Sequence, residues 1–158
     1  MPLLLNPDVS EDSLPFGHST ETIFDVVFVL YTNKKNKDID PTNVGKYVIE
    51  TDRAHVGYFD FPIKPSDSIE SSLKKVDMGR IDGFIFAMPE TDAVLKRLGL
   101  KNIKRTEFRK FEVKIIIPKG QKGKEVDAIL SKLIQTLKNN GEYEKAMGPL
   151  LNQQFKEL

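Results

Sequence analysis

The stretch SIESSLKKVDMGRIDGFIFAMPETDAVLKRLG, Ser68 to Gly99, predicts a helix, a strand and a second helix in immediate succession. Its first part carries apolar side chains at helical spacing, namely Ile69, Leu73 and Val76. Gly79 suits the position just after this helix, and the apolar run IDGFIFA is typical of a buried strand in which Gly83 packs closely. Pro89 suits the first turn of the second helix, which ends at Gly99. This succession indicates an α/β domain.

The composition of the 158-residue chain indicates a globular protein and excludes several functions. Hydrophobic residues make up 39% and charged residues 30%, and a net charge of +1 gives no reason to expect nucleic-acid binding. Because the chain has no cysteine, disulfides, thiolate metal sites and cysteine nucleophiles are excluded. The lysines clustered within residues 34–37 and 119–124 are typical of solvated loops. The N-terminal residues do not resemble a signal peptide, and no apolar run could span a membrane, so we expect a soluble chain.

The other segments alternate between strand and helix patterns. Residues 1–22 show little periodicity and are interpreted as an irregular lead-in. Apolar and β-branched runs predict strands at IFDVVFVLY, KYVIE, FPIKP and FEVKIIIPKG, and a short helix begins in TDRAHVGYF. The strongest helical pattern consists of six aliphatic side chains: Val126, Ile129, Leu130, Leu133, Ile134 and Leu137. The alternation predicts a largely parallel sheet.

The order of four of these stretches resembles one protein family. IFDVVFVLYTNKKN, SIESSLKKVDMGRIDGFIF, FEVKIIIPKG and VDAILSKLIQTLKNNGEYEKAM resemble parts of the bacterial periplasmic solute-binding proteins of amino-acid ABC transporters (family 3 type). The resemblance implies an α/β, type II periplasmic-binding-protein-like fold, comprising the second lobe, two neighbouring hinge strands and the C-terminal helices. It divides the chain into a lead-in (1–22), an outgoing hinge strand and loop (23–40), an α/β second-lobe-like domain (41–108), a returning hinge strand (109–120) and C-terminal helices (121–158).

The departures from the family pattern concern the ligand. Only twenty-two residues precede Ile23, so the resemblance implies that most of the first lobe, with its carboxylate-binding arginine, is absent. The family's ammonium-binding aspartate corresponds to Ala87, and Glu90, one helical turn away, is the nearest substitute. The other ligand loop corresponds to ETDRAHV, in which Thr51 keeps a hydroxyl and Arg53 would attract an anion. The ligand-binding residues implied in this way are Thr51, Arg53, Ala87, Met88, Glu90 and Thr91.

Three groups of polar residues could be interpreted as catalytic, but each has a simpler structural interpretation. Arg80 and Asp82 are expected to form a structural ion pair or cap. His55 has no second histidine or cysteine at ligand spacing and is expected at the surface or in a cap. Glu90 and Asp92 interact favourably with the dipole of the helix that they begin. We therefore expect no enzyme, no bound metal and no cofactor.

The resemblance implies a truncated or partial extracellular solute-binding protein, located in the periplasm, whose amino-acid binding is lost or altered. Its partners would be a small solute (an amino acid or carboxylate) and an ABC permease. The alternative is a structural or interaction protein that keeps the scaffold for dimer assembly without binding a solute. In the family the hinge strands and closing helix pack partly on the first lobe, so their apolar faces predict a homodimer here.

Overall fold

The structure, a computed structural model, describes the backbone of residues 2–151 and their side chains except at positions 2, 41, 42 and 149–151. The strands in this range are β1 (Pro2–Leu4), β2 (Gly17–His18), β3 (Phe24–Asn33), β4 (Ile49–Asp52), β5 (Lys64–Ser66), β6 (Gly83–Ala87) and β7 (Ile103–Ile117). The α-helices are α1 (Ile69–Asp77), α2 (Met88–Leu98), α3 (Gln121–Asn139) and α4 (Glu142–Leu151). Short 3₁₀ segments lie at Glu11–Ser13, Pro41–Lys46 and Arg53–Tyr58.

The strands form a mixed sheet in the order β1-β7-β3-β6-β4-β5, and β2 pairs with β7 beside this path. β4 runs parallel to β5 and β6, whereas the β3–β6, β1–β7 and β2–β7 pairs are antiparallel. The prediction of a largely parallel sheet is therefore wrong. Parallel pairing is limited to β4, β5 and β6, which are linked by crossovers such as α1. The predicted neighbourhood of the two hinge strands, β3 and β7, is confirmed.

The chain divides into two compact units, which are described separately. The central unit is Val27–Arg109, and the terminal unit combines residues 2–26 with residues 110–151. The long strands β3 and β7 contribute residues to both units. The core of the central unit contains large side chains with less than 2% exposure: Tyr31, Phe28, Phe84, Ile49, Leu73, Ile85, Val29 and Val76.

The helices of the central unit begin and end as the sequence predicts. The Ser68 hydroxyl caps α1 by accepting a hydrogen bond from the Ser71 N–H at 3.2 Å. Gly79 follows α1 with a φ of 68°, and Gly99 follows α2 with a φ of 63°. Both glycines occupy the left-handed region that ends helices at low cost. Pro89 lies in the first turn of α2.

A buried carboxylate fixes α1 against β4. Glu50, on β4, is 6% exposed and accepts a hydrogen bond from the Ser72 hydroxyl at 2.6 Å. The Lys75 ammonium lies 2.8 Å from the other carboxylate oxygen of Glu50. The same Ser72 hydroxyl lies 2.7 Å from that of Ser66, at the end of β5. This chain of polar contacts joins α1 to β4 and to the end of β5.

The terminal unit is more ordered at its start than the sequence indicates. Within residues 1–22, which are expected to be irregular, β1 and β2 each pair with the long strand β7. An open edge of a strand as long as β7 has unpaired backbone groups, so even short segments gain hydrogen bonds there. Thr20 further ties this region to α3, because its N–H and hydroxyl donate to the Asp127 carboxylate at 2.8 and 2.6 Å.

The six aliphatic residues of α3 do not share one environment. Ile134 is 8% exposed, and Val126 and Leu130 are half-buried. The other three, Ile129, Leu133 and Leu137, are 61%, 54% and 42% exposed. These three residues are spaced by four positions and therefore form one stripe along the helix, which we call the α3 stripe.

Candidate functional site

The candidate site is a cleft in the central unit where the carboxyl ends of the parallel strands meet two helix N-termini. β4 pairs with β5 and β6 so that Asp52 lies beside Ser66 and Thr51 lies beside Ile85. Beyond these strand ends begin the 3₁₀ segment Arg53–Tyr58 and the helices α1 and α2. The cleft between them has a volume of about 460 Å³. Strand ends at which helices begin are common ligand sites in α/β folds.

The lining of this cleft is acidic. Its four carboxylates come from three segments of the chain and are those of Asp52, Asp67, Glu70 and Glu90. Arg97 also lines the cleft, and its guanidinium lies 3.0 Å from Glu70, which Lys74 contacts at 2.7 Å. These contacts, the Lys74 hydrogen bond first, lower the pKa of Glu70. Because four carboxylates and one guanidinium line the cleft, its charge favours a cationic group over a carboxylate.

Arg53 is held by an acidic partner at the rim of the cleft. Its guanidinium donates two hydrogen bonds to Asp67, at 2.6 and 2.9 Å. The hydrogen bond to Arg53 lowers the pKa of Asp67, and the same pair raises the pKa of Arg53. Both side chains are largely exposed. The geometry that Arg53 would use for a ligand carboxylate is thus already occupied by Asp67.

Four of the other proposed ligand residues lie at the start of α2. Ala87 is the N-cap of this helix and offers no side-chain hydrogen bond. Glu90 is exposed, and within residues 2–151 its carboxylate has no hydrogen bond or ion pair. Met88 is 6% exposed, and Thr91 is fully buried with its hydroxyl donating to the Ala87 carbonyl at 2.8 Å. Glu90 is therefore the polar side chain of this group that faces solvent.

Thr51, the remaining proposed ligand residue, is fully buried. Its hydroxyl donates to the Ile85 carbonyl at 2.7 Å, which joins β4 to β6. This bond satisfies the hydroxyl donor within the fold. The structure therefore places Glu90 in the lining of the cleft and Arg53 on the lining residue Asp67, but turns Thr51 and Thr91 towards backbone carbonyls.

His55 packs behind the cleft as a capping and core residue. Its Nδ1 lies 3.0 Å from the Asp52 carboxylate, which also accepts a hydrogen bond from the Ala54 N–H at 2.9 Å. The His55 ring contacts Phe28 and Phe86 edge-on, with centroids 5.6 and 5.4 Å apart. Among residues 2–151 no group of three or more His, Asp or Glu side chains could hold a metal ion.

Of the two structural roles expected for Arg80 and Asp82, an ion pair or a cap, the structure shows a cap-like backbone contact by Asp82. The Asp82 carboxylate accepts a hydrogen bond from the Val48 N–H at 2.7 Å, while the Asp82 N–H donates to the Val48 carbonyl. Arg80 is exposed. The aspartate thus closes the start of the β4–β6 pair, because the turn between α1 and β6 places it beside β4 rather than beside Arg80.

Sequence inspection misses Asp67, Glu70 and Arg97 as cleft residues. Asp67 and Glu70 flank Ser68, the cap of α1, and acids are common at a helix start for local reasons. Arg97 lies two turns into α2 and reaches the cleft because α1 and α2 pack together. The available signal is that three acidic residues follow predicted strand ends: Asp52, Asp67 and Glu90.

Comparisons with solved structures identify the fold. No protein-family model and no curated protein sequence matches the chain. A histidine kinase sensor domain with similarity to periplasmic binding proteins matches with a TM-score of 0.65 and 14% identity, over 96% of this chain and 68% of that one. The substrate-binding protein of an amino acid ABC transporter matches with a TM-score of 0.61 and 16% identity, over 97% and 71%.

A third match is the ancestral amino acid-binding protein AncCDT-1, described as a precursor of cyclohexadienyl dehydratase, with a TM-score of 0.61 and 15% identity over 95% and 66%. The fold is therefore α/β and periplasmic-binding-protein-like (type II), as the sequence predicts. The chain spans about two thirds of the length of these proteins. Because sensing, transport and a precursor of an enzyme share the fold, the fold alone does not define a function. No helix within residues 2–151 is both long and apolar enough to cross a membrane.

Proposed function

We propose that the chain is a partial extracellular solute-binding protein, related to those of amino-acid ABC transporters, and that its amino-acid binding is lost or altered. We call the cleft at the ends of β4, β5 and β6 the ligand corner. In this proposal the central unit corresponds to the second lobe, most of the first lobe is absent, and an ABC permease in the membrane is the partner of a periplasmic chain. The observation that carries the proposal is the cleft at the ends of β4, β5 and β6, where Ala87 at the start of α2 offers no side-chain hydrogen bond to a ligand.

The charge distribution of the cleft supports the loss of amino-acid binding. A free amino acid carries a carboxylate as well as an ammonium, and the carboxylate would enter a lining that contains four acidic side chains. Arg53, the cation nearest to the expected carboxylate position in sequence, is engaged by Asp67. Glu90 remains available for a cation, so a small amine or guanidinium is the ligand class that the cleft favours.

We place no catalytic step at this corner. A general base needs a reactive group within hydrogen-bond reach of bound substrate. The His55 ring is packed between aromatic side chains and is bonded to Asp52, which caps a 3₁₀ segment. Glu90 has no partner acid in hydrogen-bond contact with it among residues 2–151. The site therefore supports binding rather than acid–base chemistry.

Isothermal titration calorimetry tests the binding proposal directly. We expect no micromolar binding of any free amino acid, because the ammonium contact is missing and the cleft repels the carboxylate. Small amines should bind more tightly than amino acids of the same length, and Glu90→Gln should weaken the amines at least several-fold. Lys122→Gln, which also changes an exposed charge, is the control. Micromolar binding of an amino acid would contradict the proposal.

The chain is also proposed to form a homodimer through the terminal unit, with the α3 stripe and the hinge strands at the interface. Ile129, Leu133 and Leu137 present a row of large aliphatic side chains to solvent, and such rows mark interaction surfaces. In a dimer whose twofold axis is perpendicular to α3 at Leu133, the two copies of the stripe cross antiparallel, with Ile129 opposite Leu137 of the second copy. If the cleft binds no solute, the same surface supports the alternative role of a structural or interaction protein.

Light scattering coupled to size-exclusion chromatography tests the dimer. At tens of micromolar we expect the parent chain to be dimeric and Leu133→Asp to be monomeric with an unchanged circular dichroism spectrum, because Leu133 is exposed within the unit. Ala128→Asp places the same charge on an exposed position of α3 outside the stripe and should remain dimeric. A monomeric parent chain would contradict the dimer, and so would a dimeric Leu133→Asp variant.

A further inference from the structure

A second and larger cleft of the central unit has no role in the proposed function. Its volume is about 920 Å³, and it lies between the C-terminal half of α2, the turn after that helix, the first residues of β7 and Lys34. A hydrogen bond from the Lys34 N–H to the Asn102 carbonyl, at 2.7 Å, joins two of these segments. We call this feature the basic cleft.

The basic cleft lies away from the ligand corner. β3 and β6 are antiparallel, with Phe28 beside Ala87 at one end of the pair and Thr32 beside Gly83 at the other. The ligand corner follows Ala87, whereas Lys34 continues β3 beyond Thr32. Along α2 the two clefts use different faces, since Glu90, Val94 and Arg97 line the ligand corner, whereas Asp92, Leu95 and Lys96 line the basic cleft. The two clefts can therefore be occupied independently.

Positive charge is concentrated in this cleft. Five basic side chains line it, namely Lys34, Lys96, Lys101, Lys104 and Arg105, against one carboxylate, that of Asp92. The Asp92 carboxylate is bonded to Arg105 and to the Tyr31 hydroxyl, and Lys104 is paired with Asp38. Within residues 2–151, Lys34, Lys96 and Lys101 have no carboxylate partner. Since the whole chain has a net charge of only +1, this excess is local.

Local helix electrostatics do not account for the cluster. A lysine in the last turn of a helix is stabilised by the helix dipole, and this explains Lys96 on α2. Lys34, Lys101 and Lys104 come from other segments. Bringing these like charges to one cleft costs electrostatic repulsion energy. Their convergence on one concave surface is the property expected of an anion site.

The inner surface of the basic cleft is aliphatic. Leu95 and Ile103 line it and are each 6% exposed, and Ala93 and Leu100 lie beside them. A small inorganic anion would contact the lysines at the rim but would leave this apolar surface in water. We propose that the basic cleft binds a small amphipathic anion: a carboxylate on an aliphatic chain, with the head at the lysines and the chain on Ala93 and Leu100, over the buried Leu95 and Ile103. A cleft of this size is within the range of small-molecule sites.

Binding of octanoate to the full chain, followed by ¹⁵N NMR titration, tests this proposal. We expect the largest shift changes at residues 93–104 with octanoate, and little shift change at these residues with octylamine, which has the same chain with the opposite charge. The double variant Lys34→Glu/Lys101→Glu should weaken octanoate on the order of tenfold, because two attractive charges become repulsive. Both lysines are exposed, so an unchanged melting temperature is expected to show that the variant folds.

The matched control is Lys122→Glu/Lys124→Glu, which makes the same charge change at exposed positions of the terminal unit. It should leave octanoate affinity within about twofold of the parent, because neither lysine lines the basic cleft. Three results would overturn the proposal: octylamine shifting residues 93–104 at the same concentrations as octanoate, octanoate shifting only residues outside the cleft, or inorganic phosphate shifting residues 93–104 as well as octanoate does. The last result would mean that charge alone explains the binding. None of these outcomes depends on the ligand corner, so the test is independent of the proposed function.

Discussion

Gly123→Ala should lower the melting temperature of the terminal unit by about 5–10 °C, which corresponds to about 2–3 kcal/mol in a chain of this length. Gly123 is buried in the first turn of α3, directly after the end of β7. A Cβ atom at this position would lie 1.9 Å from the Pro118 carbonyl oxygen and 3.0 Å from its carbon. Both are backbone atoms, so the clash is relieved only if α3 or the end of β7 moves.

Two effects oppose each other in this substitution, and their magnitudes decide the sign. Alanine stabilises a helix interior by about 1 kcal/mol relative to glycine, so local propensity favours the variant. Overpacking against backbone costs typically about 1–3 kcal/mol and occasionally more, and a separation of 1.9 Å is at the severe end. We therefore expect a net loss of stability, measured by thermal denaturation followed by circular dichroism.

Gly57→Ala is the matched control for this experiment. No heavy atom lies within 4 Å of the Cβ that it would introduce, and its backbone is outside the left-handed region. Its stability should remain within about 0.5 kcal/mol of the parent. If Gly123→Ala melted at or above the parent melting temperature, the prediction that a Cβ at this position clashes with the Pro118 carbonyl would be contradicted.

Asp92→Ala should destabilise the central unit by about 2–4 kcal/mol. Asp92 accepts a hydrogen bond from the Tyr31 hydroxyl at 2.8 Å and is paired with Arg105, whose side chain is 5% exposed. Burial first, and then the Asp92 charge, raise the pKa of Tyr31 far above its usual range, so this hydroxyl remains a donor. Removing the carboxylate takes the acceptor from Tyr31 and the counter-charge from a buried guanidinium.

The exposed pair formed by Arg53 and Asp67 provides the comparison. Asp67→Ala should leave stability unchanged within error, because both side chains are in solvent and the pair is screened. The double variant Asp92→Ala/Arg105→Met should be more stable than Asp92→Ala alone, since it also removes the buried charge. Urea denaturation of the four chains tests both statements. A loss below about 0.5 kcal/mol in Asp92→Ala would show that this network does not stabilise the fold.

Much of the fold could be predicted because its signals are local. The cap of α1, the glycines after α1 and α2, and the proline in the first turn of α2 each act within a few residues. The strands that the sequence predicts are local signals too, because they depend on runs of apolar and β-branched residues. The order of these signals predicted the fold class that the structural comparisons identify.

The site was less predictable, because its groups come from distant parts of the chain. The sequence pattern assigns Asp92 to the helix dipole, whereas in the structure this residue joins Tyr31, which is 61 positions away, to Arg105. The pattern places Lys34 in a solvated loop, whereas in the structure it lines a cleft with residues of α2 and β7. Both contacts depend on which strands become neighbours, and periodicity does not contain that information.

The sequence by itself determined where helices begin and end, which strands are apolar, and that Ala87 leaves the start of α2 without a carboxylate. These properties depend on backbone preferences and on side chains within one or two turns. The tertiary structure decided the strand order, the pairing of β1 and β2 with β7, and the exposure of Ile129, Leu133 and Leu137 while Ile134 is buried. It also placed Arg53 on Asp67 and the lysines around Leu95 and Ile103. The physical reason is that burial and charge pairing depend on which segments meet in space, and a helical repeat shows that a face is apolar without showing what covers it.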